Sequence, residues 1–201
     1  MKQQVVFLGG GTPKENYTDF YEYLHQQDYD PYEEPKVRWK NYLGKHLWGD
    51  CDYFIIPFPN KHFADYDAWK IVFEKHFEYF EENMILIAHS LWSSFLSKYV
   101  CENTFPVCIK KLFFLAPAFY DNIPVEKLWA FTPDTSQFWK INKLCDKVYL
   151  YHSIDDPIVK FSDSEEYWKL FPHAIFRKFE DRWHLNWWER FQELEKDIKN
   201  H

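Results

Sequence analysis

The stretch MILIAHSLWSSFLSKYV, residues 84–100, decides the fold. It begins with a continuous apolar run, residues 84–88, which is typical of a strand buried on both faces of a parallel sheet. After Ala-His-Ser, apolar residues recur at the spacing of one helix face, at Leu91, Phe95, Leu96, Tyr99 and Val100. The pattern therefore predicts a buried strand, a sharp turn at Ser90 and a helix that starts at once.

Short apolar runs alternate with segments of helical period along the rest of the chain. We predict strands at residues 5–8, 53–56, 84–88, 112–116, 148–151 and 175–179. Strands that alternate with helices are typical of an α/β fold, here a three-layer sandwich with a mainly parallel six-stranded sheet and helices on both faces. Because no linker or internal repeat divides the chain, we expect one domain over residues 1–201.

Three further segments carry specific structural predictions. Ser162-Asp-Ser-Glu165 has the form of a capping box at the start of a helix through Leu170. Apolar residues at helical spacing over residues 187–198 predict a final helix. Residues 121–146 contain no strand pattern, and they form either a small lid above the carboxyl ends of the strands or a plain surface connection.

The charge pattern excludes several function classes. The chain has a formal net charge of −7 and no run of Lys or Arg, so we expect no nucleic-acid partner and no attraction to anionic membranes. Its longest apolar runs are too short to span a bilayer. A strand pattern almost immediately after the N-terminus leaves no room for a signal peptide, and this favours a cytoplasmic protein.

The residue types that bind metals or form disulfides show no matching spacing. The four cysteines contain no C-x-x-C pair, so we expect reduced structural thiols. No group of His, Cys and acidic residues has the spacing of metal ligands, so we expect neither a metal nor a cofactor. Aromatic residues make up 22% of the chain, which favours an aromatic core with some rings lining a pocket.

Ser90 lies where a nucleophile elbow has its serine. In such an elbow, Gly-x-Ser-x-Gly, small residues flank the serine because the turn from strand to helix is tight and strained. Here Ala88 occupies the first small position and Trp92 the second. The sequence leaves two interpretations open, an activated nucleophile or a serine in a loop of similar pattern.

Three of the five glycines are consecutive, at residues 9–11, directly after the first predicted strand. This turn is a phosphate-binding loop, a loop that presents a backbone N–H to an oxyanion, or a tight turn into the first helix. The dinucleotide pattern G-x-G-x-x-G would require glycine at Lys14, and the Gly-Lys-Ser/Thr end of a P-loop is missing. The first interpretation is therefore disfavoured.

Two polar residues follow later strands at their carboxyl ends. Asp156 precedes Pro157, which disfavours helix at the aspartate and keeps it extended, although Asp-Pro also starts ordinary turns. His184 lies in the loop after the last predicted strand, just before the final helix. With Ser90, these residues give the chain order Ser, Asp, His, which is the order of α/β-hydrolases.

These segments resemble α/β-hydrolases, and in particular the compact serine-hydrolase family of retinoblastoma-binding protein 9. The resemblance implies an α/β-hydrolase fold with little or no cap. It also implies that the aspartate directly before the proline, Asp156 rather than Asp155, belongs to the catalytic triad. The matching segments are VVFLGGG (5–11), MILIAHSLWSSF (84–95), LFFLAPAF (112–119), YLYHSIDDPIVKF (149–161) and KFEDRWH (178–184).

The sequence departs from the family's pattern at three places. Ala88 replaces a glycine, Arg-Trp at 182–183 replaces small residues before the histidine, and Trp92 replaces the second glycine of the elbow. The last departure is the largest, because an indole at this position must point away from the turn or distort it. Compensation by a closer approach of the helix to the sheet is expected from the small residues Ser93, Ser94 and Ser97.

We therefore expect a metal-free serine hydrolase that cleaves a small ester, thioester or amide. Ser90 would attack the carbonyl carbon, His184 would take the proton, and Asp156 would orient the imidazole. Backbone N–H groups of Leu91 and of Gly10 would bind the oxyanion.

The expected partner is a small-molecule acyl substrate, with Trp92 and Trp183 lining its pocket. The sequence identifies no protein partner. A second hypothesis from another class is a catalytically silent hydrolase fold that serves as a protein-interaction module, with Trp92 as the lesion. A nucleotide-binding Rossmann-type enzyme is disfavoured by the glycine pattern.

Overall fold

The computed structural model describes residues 2–9, 13–14, 16–28, 30, 32, 38–47, 49, 51–119, 129–186 and 189–200. At its centre lies one sheet of six parallel strands, in the order β2-β1-β3-β4-β5-β6. The strands are β1 (Gln3–Leu8), β2 (Cys51–Ile55), β3 (Met84–His89), β4 (Ile109–Leu115), β5 (Cys145–Ser153) and β6 (Ile175–Phe179). The predicted parallel sheet is confirmed. β6 has the predicted bounds, and the other strands differ from prediction by a few residues at their ends.

Helices cover both faces of the sheet, as the sequence predicted. α3, α4, α5 and α6 bury their apolar residues in one core on one face, and α2 and α7 do so in a second core on the other. The described helices are α1 (Tyr17–His25), α2 (Trp39–His46), α3 (Tyr66–Lys75), α4 (Leu91–Glu102), α5 (Trp139–Leu144), α6 (Phe161–Leu170) and α7 (Gln192–Lys199). In the described segments, no helix has both the length and the apolar character that crossing a bilayer requires.

The predicted capping box at Ser162 is wrong. α6 begins one residue earlier, at Phe161, and its N-cap residue Lys160 makes no side-chain capping bond. The ring of Phe161 stacks on Phe176 of β6, with ring centroids 5.6 Å apart. This contact with the sheet holds Phe161 at the first helical position, so Ser162 falls inside the first turn.

The predicted start of the final helix is also wrong. α7 begins at Gln192, whereas the apolar pattern predicted helix from residue 187; residues 187–188 lie outside the described part. Phe191 has a non-helical backbone, with φ −117° and ψ 80°. Its ring packs against Trp39 and Tyr151, 5.6 Å from each, so tertiary packing fixes this residue before the helix starts.

The second half of the stretch predicted to lack strands, residues 121–146, packs into the core at its apolar residues and runs into β5. Residues 120–128 lie outside the described part. Two short 3₁₀ turns, Trp129–Phe131 and Thr135–Gln137, lead into α5, and β5 begins at Cys145. Phe131 and Phe138 are buried in the same core as α4. Phe131 and Phe138 thus anchor this stretch to the core, while residues 134–136 between them are exposed.

Lys111 of β4 anchors α7 to the sheet. Its buried ammonium group donates to the backbone carbonyls of Asp197 at 2.8 Å and Ile198 at 3.0 Å, and also to that of Asn200. Carbonyls in the last turn of a helix have no intrahelical partner, and a cation there also interacts favourably with the helix dipole. Lys111 therefore satisfies groups that burial would otherwise leave unpaired.

We expect Lys111→Met to lower the free energy of unfolding by about 1–3 kcal/mol, because buried carbonyls of α7 lose their donor. Urea unfolding measures the difference, and Lys110→Met on the same strand is the matched control with little expected effect. Equal stability of the two variants would show that the anchoring does not stabilise the fold.

Candidate active site

Ser90 forms a strained turn between β3 and α4. Its φ of 59° and ψ of −127° lie in a region that residues other than glycine rarely adopt. The N–H of Ser90 donates to the carbonyl of Leu115 at 2.8 Å, which ties the turn to β4. Its Oγ atom makes no hydrogen bond to any described residue. The turn thus has the strained backbone that a nucleophile elbow requires, and its hydroxyl group is buried without a bond to the described residues.

Three buried serines of α4 hold the helix close to its neighbours. Ser93 Oγ donates to the carbonyl of Ala88 at 3.0 Å, and Ser94 Oγ donates to the carbonyl of Ala118. Ser97 Oγ lies 3.2 Å from the hydroxyl of Tyr167 on α6. Because these small side chains bond across the interface, the first turns of α4 lie directly against the sheet.

The indole of Trp92 is buried in the core rather than in the turn. It stacks on Trp69 of α3, with centroids 4.5 Å apart and planes 15° apart, and it also contacts Phe58. Its Nε1–H has no hydrogen-bond partner among the described residues. Trp92 therefore leaves the unusual backbone of Ser90 intact, although it occupies the second small position of the elbow pattern.

Asp156 accepts four hydrogen bonds. The N–H groups of Ile158 and Val159 donate to Oδ1 at 2.8 and 3.0 Å. His184 Nδ1 lies 2.8 Å from Oδ2, and His152 Nε2 lies 3.2 Å from the same oxygen. A carboxylate has about four acceptor positions, so this buried side chain is fully satisfied as an anion.

The two histidines that contact Asp156 differ in how many of their ring nitrogens make hydrogen bonds to described residues. His184 uses Nδ1 for the aspartate, and its Nε2 makes no hydrogen bond to a described residue. His152 uses both ring nitrogens and is fully buried. Since Nδ1–H of His184 must donate to the carboxylate, its Nε2 keeps the lone pair in the neutral ring. His184 is the histidine that can accept a proton.

Hydrogen bonds set the charge of Asp156. Burial alone would raise the pKa of this carboxyl, but hydrogen bonds from His152 and His184, together with the charge of His184, lower it below its usual range. Burial and the nearby His184 lower the pKa of His89 well below its usual value. At neutral pH the site therefore combines an aspartate anion with a neutral His89.

Contacts from several elements fix the loop that carries His184. His89 Nε2 donates to the carbonyl of His184 at 2.9 Å, and Trp39 Nε1 donates to that of Leu185 at 2.7 Å. The N–H of Trp183 donates to Asp155 Oδ1 at 2.9 Å. Both neighbours of His184 have positive φ, 45° at Trp183 and 56° at Leu185. Such strain persists only where the surroundings impose it.

The site residues predicted from the sequence can now be located in the structure. Ser90, Asp156 and His184 all follow carboxyl ends of strands, and Leu91 is the first residue of α4, where N–H groups lack intrahelical partners. Gly10 lies outside the described residues. A second set of residues, which was not predicted to belong to the site, supports them by hydrogen bonds; it consists of His89, His152, Ser153 and Asp155.

The only sequence signals for these supporting residues were their positions beside predicted site residues. Two of them directly precede a predicted site residue, His89 before Ser90 and Asp155 before Asp156. Ser153 Oγ donates to Asp155 and accepts from the N–H of Arg182 at 2.8 Å. The contact with Arg182 does not follow from spacing along the chain, because it depends on how the last two strands pair.

Residues 38–200 match the protein-family model for serine hydrolases. Among curated proteins, none matches the chain.

Several solved structures are similar to this chain. The YdeN gene product of B. subtilis is 16% identical, with 98% of this chain and 97% of that chain covered and a TM-score of 0.73. The esterase domain of a Rhodothermus marinus protein is 13% identical, with 91% and 78% covered and a TM-score of 0.54. A methylesterase from Arabidopsis is 10% identical, with 98% and 97% covered and a TM-score of 0.58. The expected α/β-hydrolase fold is confirmed.

The lowered pKa of Asp156 predicts how stability depends on pH. The unfolded chain takes up this proton at a higher pH than the folded chain, so the stabilisation is complete above the ordinary value of 3.8 and is lost as the pH falls below it. Between about pH 5 and pH 3, we expect the free energy of unfolding to fall more steeply for the unmodified protein than for Asp156→Asn. Urea unfolding at a series of pH values measures both slopes, and equal slopes would contradict the expectation.

Proposed function

Because the chain belongs to the serine hydrolase family and is a hydrolytic enzyme, we propose that it cleaves a small ester, thioester or amide through Ser90, His184 and Asp156. One observation carries the proposal. His184 Nδ1 lies 2.8 Å from a buried Asp156 that accepts four hydrogen bonds, and Nε2 of this histidine bonds to none of the described residues. The strained turn at Ser90 supports it, since this backbone is the one that an elbow nucleophile requires.

The proposed reaction runs through an acyl-enzyme. Ser90 Oγ attacks the substrate's carbonyl carbon while His184 Nε2 takes the hydroxyl proton. The carbonyl oxygen becomes an oxyanion, bound by the N–H of Leu91 and by an N–H of the Gly10 turn. When the intermediate collapses, the His184 imidazolium gives its proton to the leaving group. Water then attacks the acyl-enzyme, with His184 again as the base, and releases the acid and free Ser90.

Asp156 acts on the imidazole rather than on the substrate. By accepting from Nδ1–H, it keeps the lone pair of His184 on Nε2, and its negative charge stabilises the imidazolium that forms during the reaction. The lowered pKa of Asp156 supports this role, because the carboxylate must remain ionised throughout.

Two tryptophans are the proposed contributors to substrate selection. Trp183 adjoins His184 and is 52% exposed, which supports a place at the rim of the site. Trp92 lies two residues after Ser90, but its indole is buried against Trp69, and its N–H has no partner among the described residues. We therefore assign direct substrate contact to Trp183, whereas Trp92 would shape the pocket only from behind the elbow.

The hypothesis of a catalytically silent fold depended on Trp92 distorting the elbow. The φ and ψ of Ser90 favour the enzyme instead, because they are those of a strained elbow while the indole packs on Trp69.

We expect a fluorophosphonate probe to label Ser90 covalently, because an activated serine oxygen attacks the phosphorus atom. Mass mapping of the adduct identifies the labelled residue, and Ser90→Ala should abolish both the label and the hydrolysis of p-nitrophenyl acetate. Ser97→Ala, which alters a buried serine of the same helix whose hydroxyl contacts Tyr167 rather than the elbow, is the matched control and should keep both. A label on a different serine would sink the proposed mechanism.

The two neighbouring aspartates should respond differently to substitution. Asp156→Asn is expected to reduce kcat by roughly 10⁴, because the imidazole is no longer held in the productive tautomer. Asp155→Asn keeps an oxygen that can accept from the N–H of Trp183, so the expected loss is about tenfold or less. Steady-state ester hydrolysis measures both, and a reversed order would move the acid from Asp156 to Asp155.

A further inference from the structure

His152 is a buried histidine that the proposed reaction does not use. It lies near the end of β5, and its side chain is fully buried. Its Nδ1 is 2.6 Å from Ser164 Oγ on α6, and its Nε2 is 3.0 Å from the carbonyl of Val159 and 3.2 Å from Asp156 Oδ2. Every polar atom of this ring therefore has a partner.

These contacts fix the tautomer of His152. Both atoms at Nε2, the carbonyl oxygen of Val159 and Oδ2 of Asp156, are acceptors, so Nε2 must carry a hydrogen. The hydroxyl of Ser164 can donate to Nδ1. His152 is thus a fixed donor to the aspartate, and its burial excludes direct contact with a substrate.

The two oxygens of Asp156 are held in different ways. Oδ1 accepts from two backbone N–H groups, those of Ile158 and Val159. Oδ2 accepts from two imidazoles. One of these imidazoles, that of His184, gains and loses a proton on Nε2 during the proposed reaction, and its charge changes with it. The bond from His152 is therefore the only one at Oδ2, among the described residues, that comes from a group outside the reaction.

We propose that His152 is a positioning residue, whose Nε2–H holds Oδ2 of Asp156 in place so that the carboxylate keeps His184 aligned as its charge changes. The inference rests on the proposed function, since it assigns His184 the proton transfer. His152 also links the turn at residues 156–159 to α6 through Ser164. The experiments must separate positioning from this purely structural role.

A matched pair of substitutions separates the two roles. The amide nitrogen of Gln reaches about as far as Nε2 of histidine, whereas that of Asn reaches only about as far as Nδ1. In p-nitrophenyl acetate hydrolysis, we expect His152→Asn to lower kcat by about tenfold to a hundredfold with KM nearly unchanged, by analogy with the partners behind metal-binding histidines. His152→Gln, which can still donate to Asp156, should recover most of this loss.

A double-mutant cycle with Asp156→Asn tests whether His152 acts through the aspartate. If it does, adding His152→Asn to Asp156→Asn should change kcat by less than about twofold, because the contact is already lost. A structural effect would instead multiply the two losses. Multiplied losses, or equal kcat values for His152→Asn and the unmodified protein, would overturn the proposal.

Spectroscopy of the unmodified protein provides a test that needs no variant to fold. The Nε2–H proton of His152 can be followed by NMR in protein with ¹⁵N-labelled histidine, before and after Ser90 is phosphonylated. The adduct changes the surroundings of the His184 ring, which shares Oδ2 of Asp156 with His152, so we expect the His152 resonance to move. A resonance that stays in place overturns the positioning role. A protein that neither hydrolyses the ester nor takes the label overturns the proposed function as well, which distinguishes the two failures.

Discussion

The left-handed turn at Ser90 is the constraint on which the rest of the candidate site depends. A serine keeps a φ of 59° only where its surroundings impose it. β3 is buried along its whole length between β1 and β4, so its end cannot shift. Hydrogen bonds from Ser93 to Ala88 and from Ser94 to Ala118 hold the start of α4 from the other side. Sheet and helix together sustain a turn that neither would adopt alone.

Local sequence patterns predicted the parts of the molecule that local forces decide. Short apolar runs predicted the six strands, of which the edge strands β2 and β6 are only partly buried, and the strand-to-helix pattern predicted the turn at Ser90. The starts of α6 and α7 could not be predicted, because Phe161 and Phe191 are placed by rings from distant parts of the chain. The role of His152 could not be predicted for the same reason. Its sequence position indicates a strand residue, and its contacts with Ser164 and Asp156 form only when β5, the following turn and α6 pack together.

The abundance of aromatic residues explains how the elbow accommodates Trp92. A large side chain at this position needs a flat apolar surface nearby, and Trp69 of α3 provides one. Trp69 is itself held by a hydrogen bond from its Nε1 to the carbonyl of Pro59, at 3.0 Å. Stacked aromatic pairs contribute about 0.5–1.5 kcal/mol beyond the area that they bury. In this chain, a stacked pair on α3 and α4 fills the volume that a glycine at the elbow would leave empty.

Two consecutive carboxylates hold the loop of His184 in two different ways. Asp155 binds the backbone N–H of Trp183, and Asp156 binds the ring of His184. A single added or deleted residue between Ser153 and Pro157 would displace both anchors together, because the two carboxylates are adjacent in the chain. The loop that carries His184 is also held through the carbonyls of His184 and Leu185, which accept from His89 and Trp39. Anyone who grafts this site onto another scaffold must therefore transfer the Asp-Asp pair as one rigid unit, together with the two donors that hold the facing loop.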